Sequence, residues 1–216
     1  MSDDDLSRVF ATTLSAQLRS GAVSPLEVMD ATISRIEAVN PQVNALPILC
    51  LDRAREQARA LTAAGNTPNT RGPLWGLPLA VKDYNDLEGV VTTYGSPLFS
   101  GNIARASDAT VAKLQASGAI AVGKSNVPEW AGAHTFNPVF GHTLNPWNSA
   151  VSAGGSSGGS GVALATGMVP LATGNDLGGS LRVPASFNGV VGLRPGPGRV
   201  PRGARLPAFD TLWVEG

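Results

Sequence analysis

The stretch Leu77-Pro-Leu-Ala-Val-Lys82 marks a change from helical to strand-like patterning along this chain. Its apolar run predicts a short buried strand that carries Lys82 at its end. Upstream, Ser24-Pro-Leu-Glu27 has the pattern of a capping box with proline at the first helical position, and it predicts the start of a helix. A second helix is predicted over 51–64, ending at Gly65, so the first sixty-five residues are expected to be helical.

Downstream of this strand, helical and strand-like segments alternate. Short apolar runs at 119–122 and 169–172 predict strands, and helices are predicted over 108–117, 157–166 and about 180–186. Alternation of this kind is typical of an α/β fold. Because the apolar runs are nearly continuous, we expect a mixed, mostly buried β-sheet that is covered by helices.

Composition and charge restrict the classes of function. Lys and Arg number 16 and Asp and Glu number 16, so the formal net charge is zero and no basic field attracts nucleic acid or an anionic membrane. Cys50 is the single cysteine, which excludes an internal disulfide, and its apolar surroundings favour a small core residue. Two histidines, His134 and His142, are too few for a histidine metal cage and are interpreted as loop or pocket-wall residues. The acidic start lacks a signal-peptide pattern and no run of eighteen apolar residues occurs, so we expect a cytoplasmic protein with no membrane span.

A segment rich in glycine and serine, Gly154-Gly-Ser-Ser-Gly-Gly-Ser-Gly161, has three interpretations. A flexible linker is disfavoured because apolar elements follow at once. A phosphate-binding loop requires a lysine and a hydroxyl residue after its last glycine, whereas Val162-Ala-Leu164 follows here. The third interpretation is a tight backbone turn that directs hydroxyl groups into an active site.

A second segment, Gly174-Asn-Asp-Leu-Gly-Gly-Ser-Leu-Arg-Val-Pro184, favours the third interpretation. It places Ser180 after two glycines and before a short predicted helix, where consecutive amides can converge on one point. Such a serine has both the nucleophile and the oxyanion hole that acyl transfer requires.

A serine nucleophile also needs a base. Neither histidine lies in a motif typical of a Ser-His-Asp triad, and the elbow G-x-S-x-G is absent around Ser180. Lys82 is the alternative base, because burial at the end of an apolar strand lowers the pKa of a lysine. An ion pair with Asp83 is the competing structural interpretation of Lys82.

Together these segments resemble the amidase signature family. The resemblance covers the chain from Gly76 onward and lies in five motifs that follow the family order: Gly76-Leu-Pro-Leu-Ala-Val-Lys-Asp83, Val122-Gly-Lys-Ser-Asn-Val-Pro-Glu129, Asn145-Pro-Trp-Asn148, Gly154–Ser160 and Gly174–Arg199. It implies the amidase signature fold, present here as its N-terminal part. Residues 1–75 would form an N-terminal helical segment and residues 76–216 the catalytic core, truncated at its C-terminus, within one domain.

The resemblance implies a catalytic triad of Lys82, Ser156 and Ser180. Ser156 is assigned in preference to Ser157 because it lies 24 positions before Ser180, which is the family offset. Ser157 is then a supporting residue. The Gly155–Ser156 peptide bond is expected to be cis.

An oxyanion hole and its support are implied in the same way. The hole is expected to consist of the backbone amides of Leu177, Gly178, Gly179 and Ser180. Asp176 and Arg182 are expected to form an ion pair that holds this loop. The resemblance implies no metal and no organic cofactor.

Two departures from the family pattern are visible. Asn175 stands where the family usually has serine or threonine, so a hydroxyl contact near the site is expected to be altered. Family members continue beyond Gly216, so a C-terminal segment of the same fold is an expected partner, which would supply further strands and part of the acyl pocket. A homo-oligomer is neither required nor excluded.

The resemblance implies an amidohydrolase that cleaves the C–N bond of a small-molecule carboxamide to a carboxylate and ammonia or an amine, through an acyl-enzyme on Ser180. Two alternatives stay open: the A subunit of a tRNA-dependent amidotransferase, and an inactive fragment that acts only as a structural half. The segments 175–182 and 195–201 look more like those of stand-alone amidases. The sequence leaves open which amide is the substrate.

Overall fold

The computed structural model describes residues 6–7, 9–65, 72–202 and 210–216. Helices and strands alternate along most of this length. The helices are α1 Ala11–Ser20, α2 Pro25–Val43, α3 Leu51–Ala63, α4 Ala109–Ala116, α5 Gly158–Ala165 and α6 Arg182–Asn188, with short 3-10 helices at Pro97–Phe99 and Glu129–Ala131. The strands are β1 Ile48–Leu49, β2 Pro78–Lys82, β3 Ile120–Ser125, β4 Phe136–Asn137, β5 Gly141–His142, β6 Leu171–Ala172, β7 Asn175–Asp176 and β8 Val214–Glu215.

Helix α2 begins at the predicted capping box. Ser24 Oγ accepts a hydrogen bond from the amide of Glu27 at 3.2 Å, and Glu27 Oε2 accepts one from the amide of Ser24 at 2.8 Å. Both bonds satisfy amides that have no partner inside the helix, and a cap of this kind contributes about 1 kcal/mol. The second predicted helix, α3, ends at Ala63, one residue before the predicted end.

The main sheet has four strands in the order β1-β3-β2-β6. Strand β2 pairs in parallel with β3 and β6, whereas β1 pairs antiparallel with β3. Every residue of β2 and β3 is buried, so the two central strands have covered faces, as continuous apolar runs require. The predicted fold class, a mixed and mostly buried sheet covered by helices, is confirmed.

The prediction that the first sixty-five residues are helical was wrong at β1. Ile48 and Leu49 pair with Lys124 and Gly123 of β3, and a strand this short exists only because its partner is there. The approach is close: a Cβ on Gly123 would lie 2.3 Å from the carbonyl oxygen of Ile48, so glycine is required. Cys50, next along the chain, is partly buried against the sheet, and its thiol donates to the carbonyl of Ala121 at 3.3 Å. The strand predicted over 169–172 is also shorter, at 171–172.

The largest core cluster joins both sides of the predicted boundary at Gly76. Met29 and Ile36 of α2 are fully buried against the sheet, and each such side chain contributes about 1.5–3 kcal/mol when it leaves water. The cluster also contains Ala80 and Val122 from β2 and β3, Val162 from α5, and Met168. None of the helices in the described part of the chain is both long enough and apolar enough to cross a membrane.

Close packing of α5 on the sheet carries the serine-rich turn to the end of β2. A Cβ on Gly159 would lie 2.3 Å from the amide nitrogen of Asn126, just after β3. Only glycine allows the helix to approach that closely. The first residues of α5 therefore lie beside Lys82, the last residue of β2.

Candidate active site

Lys82 lies at the carboxyl end of β2 and is 0% exposed. Its Nζ donates hydrogen bonds to Ser156 Oγ at 2.7 Å, to Ser157 Oγ at 2.7 Å and to Asn175 Oδ1 at 2.6 Å. The ring centre of Tyr84 lies 4.9 Å from the same nitrogen. The fold therefore collects, around one buried amine, residues from three of the segments that the sequence marks out.

Burial changes the acid–base properties of this amine. It lowers the pKa of Lys82 from 10.5 to about 7, and the negative charges of Glu215 and Asp176 partly oppose that decrease. A large fraction of Lys82 is therefore neutral near neutral pH, and a neutral amine can accept a proton.

The competing interpretation of Lys82, an ion pair with Asp83, is wrong. Asp83 directly follows β2 and instead pairs with Lys124 Nζ at 2.9 Å. Both partners of that pair are buried, and the carboxylate of Asp83 also accepts a hydrogen bond from Thr93 Oγ1 at 2.5 Å. The Asp83–Lys124 pair joins the end of β2 to β3, and no ion pair among the described residues includes Lys82.

The two serines at the turn before α5 are both buried and both contact Lys82. The Gly155–Ser156 peptide bond is cis, which confirms that expectation. Because Nζ lies 2.7 Å from Oγ of Ser156 and of Ser157 alike, the contact with lysine does not distinguish them. The assignment of Ser156 to the triad stays a prediction.

Ser180 lies between β7 and α6, opposite this turn, and is half-buried. Its carbonyl accepts a hydrogen bond from the amide of Ser157 at 3.2 Å, which connects the two serine-bearing segments. Within the described part of the chain, the hydroxyl of Ser180 makes no hydrogen bond. It is therefore unengaged and, being half-buried, accessible to a ligand.

The four amides expected to form the oxyanion hole are not equivalent. The amide of Gly179 donates to Asp176 Oδ1 at 2.8 Å, so this member of the expected set is engaged elsewhere. The amides of Leu177, Gly178 and Ser180 have no acceptor among the described residues. Three of the four amides are therefore available to an oxyanion, whereas the N–H of Gly179 is used by the carboxylate of Asp176. The oxyanion hole stays a prediction.

Asp176 supports the loop as expected, with a further partner. Its carboxylate accepts hydrogen bonds from Arg182 at 3.0 and 3.1 Å and from the amide of Leu181 at 3.2 Å. Arg194 Nε lies 3.3 Å from Oδ1, a second arginine contact that sequence reasoning missed although the residue belongs to the last of the five motifs. Burial acts to raise the pKa of Asp176, but Arg182 and the amides of Gly179 and Leu181 outweigh it and lower the pKa to about 2.

Two polar residues near Lys82 were not predicted in these positions. Asn175 was noted as a departure, but its direct bond to Nζ had no sequence signal. Glu215 in β8 is 5% exposed and lies opposite Asn175 in the β7–β8 pair. The neighbouring Val214 of β8 is also buried, at 4% exposed, and is paired with Asp176.

The histidines, interpreted from the sequence as loop or pocket-wall residues, are both exposed, and His142 lies in strand β5. His134 contacts Ser152 Oγ at 3.1 Å, and the ring of His142 lies 4.3 Å from that of Phe136. Neither makes a described contact with Lys82. Over the described ranges, His, Cys, Asp and Glu side chains form no group of three or more suited to a metal ion.

Comparison with known proteins agrees with this geometry. The family model described as Amidase matches residues 27–216. The chain is 42% identical over 192 residues to the A subunit of the glutamyl-tRNA(Gln) amidotransferase of Maridesulfovibrio salexigens, covering 88% of this chain and 39% of that protein. It is 38% identical over 204 residues to an acylamidase of Rhodococcus erythropolis, covering 94% and 43%.

Solved structures give the same result. A 6-aminohexanoate cyclic dimer hydrolase complexed with substrate is similar with a TM-score of 0.88 and 36% identity, covering 98% of this chain and 43% of that one. The chain thus spans about two fifths of the length of the proteins it matches. Because the family model covers most of the chain and the fold is that of its solved relatives, this chain belongs to the amidase signature family.

Proposed function

We propose that this chain carries the catalytic residues of an amidohydrolase that cleaves the C–N bond of a small-molecule carboxamide. The observation that carries the proposal is the contact between a fully buried lysine, Lys82, and the hydroxyl of Ser156 at 2.7 Å. The unengaged hydroxyl of Ser180, beside free backbone amides, supplies the nucleophile.

The partners of Lys82 suit a neutral amine, which has two N–H donors and one lone pair. The carbonyl oxygen of Asn175 can only accept, so it takes one N–H. Ser157 takes the second N–H. In the neutral amine the contact between Nζ and Ser156 Oγ, at 2.7 Å, reverses its direction: the hydroxyl donates to the lone pair, which is the arrangement a general base needs.

The reaction follows from this arrangement. Lys82 takes the proton of Ser156, and Ser156 takes the proton of Ser180 as the latter attacks the carbonyl carbon. The free amides of Leu177, Gly178 and Ser180 stabilise the oxyanion. The proton returns through Ser156 to the leaving nitrogen, the C–N bond breaks, and water then hydrolyses the ester on Ser180 by the same relay.

Activity on a panel of carboxamides tests the proposal, measured on the complete polypeptide that carries this sequence. We expect turnover by the wild type, stoichiometric labelling by a fluorophosphonate, and loss of both in Ser180→Ala. Unchanged turnover in Ser180→Ala would overturn the proposal. The panel includes aliphatic, aryl, peptide and long-chain amides, and the relative turnover of these amides indicates which acyl groups the pocket accepts.

A second candidate is the A subunit of a tRNA-dependent amidotransferase, favoured by the 42% identity to a protein of that kind. Both functions use the same acyl-enzyme and differ in the acceptor of the released ammonia. Hydrolysis of a simple amide by the purified polypeptide without partner subunits supports the first candidate. Activity that appears only with partner subunits and charged tRNA supports the second.

A C-terminal segment of the same fold is the proposed partner of this chain. A groove of about 850 Å³ runs along β6, and apolar residues of α5 and of the segment after α6 line it. Val191 and Leu193 beside the groove are 93% and 71% exposed. Since relatives are more than twice as long, we propose that further strands cover this surface. Activity that is absent from the 216-residue chain alone and appears when that segment is added would support this partnership.

The cytoplasmic location stays a prediction.

A further inference from the structure

Glu215 is a buried carboxylate that the proposed reaction does not use. It lies in β8 and is 5% exposed. Its two oxygens accept hydrogen bonds from neutral donors, Asn85 Nδ2 at 3.2 Å and Trp213 Nε1 at 2.9 Å. None of the ion pairs found among the described residues includes Glu215. The ionised form of a buried carboxylate is costly when all its partners are neutral, and a nearby positive charge reduces that cost.

The register of the small sheet brings Glu215 to the lysine. Glu215 lies directly opposite Asn175 in the antiparallel β7–β8 pair. Side chains of directly opposite residues lie on the same face of such a pair, about 5 Å apart at Cβ. Asn175 bonds to Lys82 Nζ on that face, so the carboxylate lies in the group of residues around the amine.

A second connection reaches the backbone of the lysine. Asn85, which donates to Glu215, accepts a hydrogen bond from Thr173 Oγ1 at 3.3 Å. Thr173 Oγ1 in turn accepts one from the amide of Lys82 at 2.8 Å. Glu215 is therefore linked to Lys82 through Asn175 at the amine and through Asn85 and Thr173 at the main chain.

Among the described residues, few charged groups act on Lys82 and Glu215. Two carboxylates, Glu215 and Asp176, raise the pKa of Lys82 against the larger effect of burial, but Asp176 is already bound by two arginines. The pKa of Glu215 is raised by burial, while Trp213, Asn85 and Lys82 act to lower it and Asp108 acts to raise it. Glu215 is thus the carboxylate near Lys82 whose charge no arginine balances among the described residues.

We propose that Glu215 is a positioning residue for Lys82: the carboxylate of Glu215 stabilises the ammonium form and so raises the pH above which the lysine acts as base. The inference rests on the proposed function, because it assigns Lys82 the role of base. It predicts a specific direction of change. Removal of the negative charge makes the ammonium less stable and moves the acid limb of activity to lower pH.

The test is the pH profile of kcat/KM for Glu215→Gln, which keeps the shape and one acceptor oxygen but removes the charge. We expect the acid limb to move down by about one pH unit, as removal of a nearby opposite charge does. The rate of fluorophosphonate labelling against pH gives the same limb without substrate binding. Asp210→Asn is the matched control, since it removes a carboxylate five positions earlier in the chain that pairs with Arg202 instead, and its limb should stay in place.

Trp213→Phe keeps the inference testable if the glutamine variant does not fold. This substitution removes the N–H that donates to Glu215 Oε1. Loss of that hydrogen bond favours the protonated form of Glu215, so the acid limb should move to lower pH, by less than in Glu215→Gln. A limb that stays in place or moves up in a folded variant overturns the role of Glu215. Wild-type protein with no amide turnover and no Ser180-dependent labelling would instead overturn the proposed function itself, so the two failures are distinguishable.

Discussion

Asn175 accepts a hydrogen bond from Lys82 at an Oδ1–Nζ distance of 2.6 Å, at a position where the family usually has a hydroxyl residue. A hydroxyl can donate or accept, whereas an amide oxygen only accepts. The departure therefore keeps a contact to the amine and fixes its direction. Lys82 must use one N–H on Asn175, which leaves the lone pair for a serine hydroxyl.

Asn175→Asp tests this contact, because it keeps the shape and places a negative charge beside Nζ. An opposite charge this close raises the pKa of a lysine by about 1–3 units. We expect the acid limb of kcat/KM to move to higher pH by that amount, with the plateau above it largely retained. Glu215→Gln should move the same limb the other way, so opposite shifts in the two variants are the diagnostic result.

The wild-type pH profile tests Lys82 as the base. Its pKa is lowered to about 7, and the neutral form is the active one, so kcat/KM should rise as pH increases through about 7 and level off above it. Lys82→Met should reduce kcat/KM by about 10³-fold or more, since it removes one member of a relay that acts as a unit. A flat profile from about pH 5 to about pH 9, with chemistry rate-limiting, would contradict the assignment.

Substitution of each serine separates two residues that contact Lys82 equally. Ser156→Ala should reduce the rate of acylation by about 10³-fold, because it removes the proton carrier between Lys82 and Ser180. Ser157→Ala removes one hydrogen bond to the amine and should reduce it by about tenfold. Single-turnover rates of amine release give the comparison. Equal losses, or the reverse order, would assign the relay to Ser157.

Asp176→Asn tests the support of the oxyanion loop. It removes the charge that binds Arg182 and Arg194, but both arginines can turn to solvent, so the free energy of unfolding should fall by only about 1–3 kcal/mol. The loop loses its anchor, so kcat should fall while KM changes little. Urea unfolding and steady-state kinetics measure the two effects. A fall in stability with unchanged kcat would limit Asp176 to a structural role.

Local patterns in the sequence predicted much of this molecule. The capping box at Ser24 is a pattern of a few consecutive residues, and so is the apolar run that ends at Lys82. Helices and strands can be predicted from such short patterns. The glycine-containing turns at 154–161 and 174–184 likewise marked both serine-bearing segments. The family resemblance added how the segments combine, including the cis bond before Ser156.

The sequence by itself thus determined the α/β class, the buried strand that carries Lys82 and the two serine-bearing turns. The tertiary structure alone decided which polar groups meet: Asn175 and Lys82, Asp83 and Lys124, and the carboxylate of Asp176 and the amide of Gly179. Contacts such as that of Lys82 and Asn175, 93 positions apart, depend on strand register and on the close approach of α5 to the sheet. A register shift of one residue would turn Glu215 or Asn175 to the opposite face, and no local pattern encodes that choice.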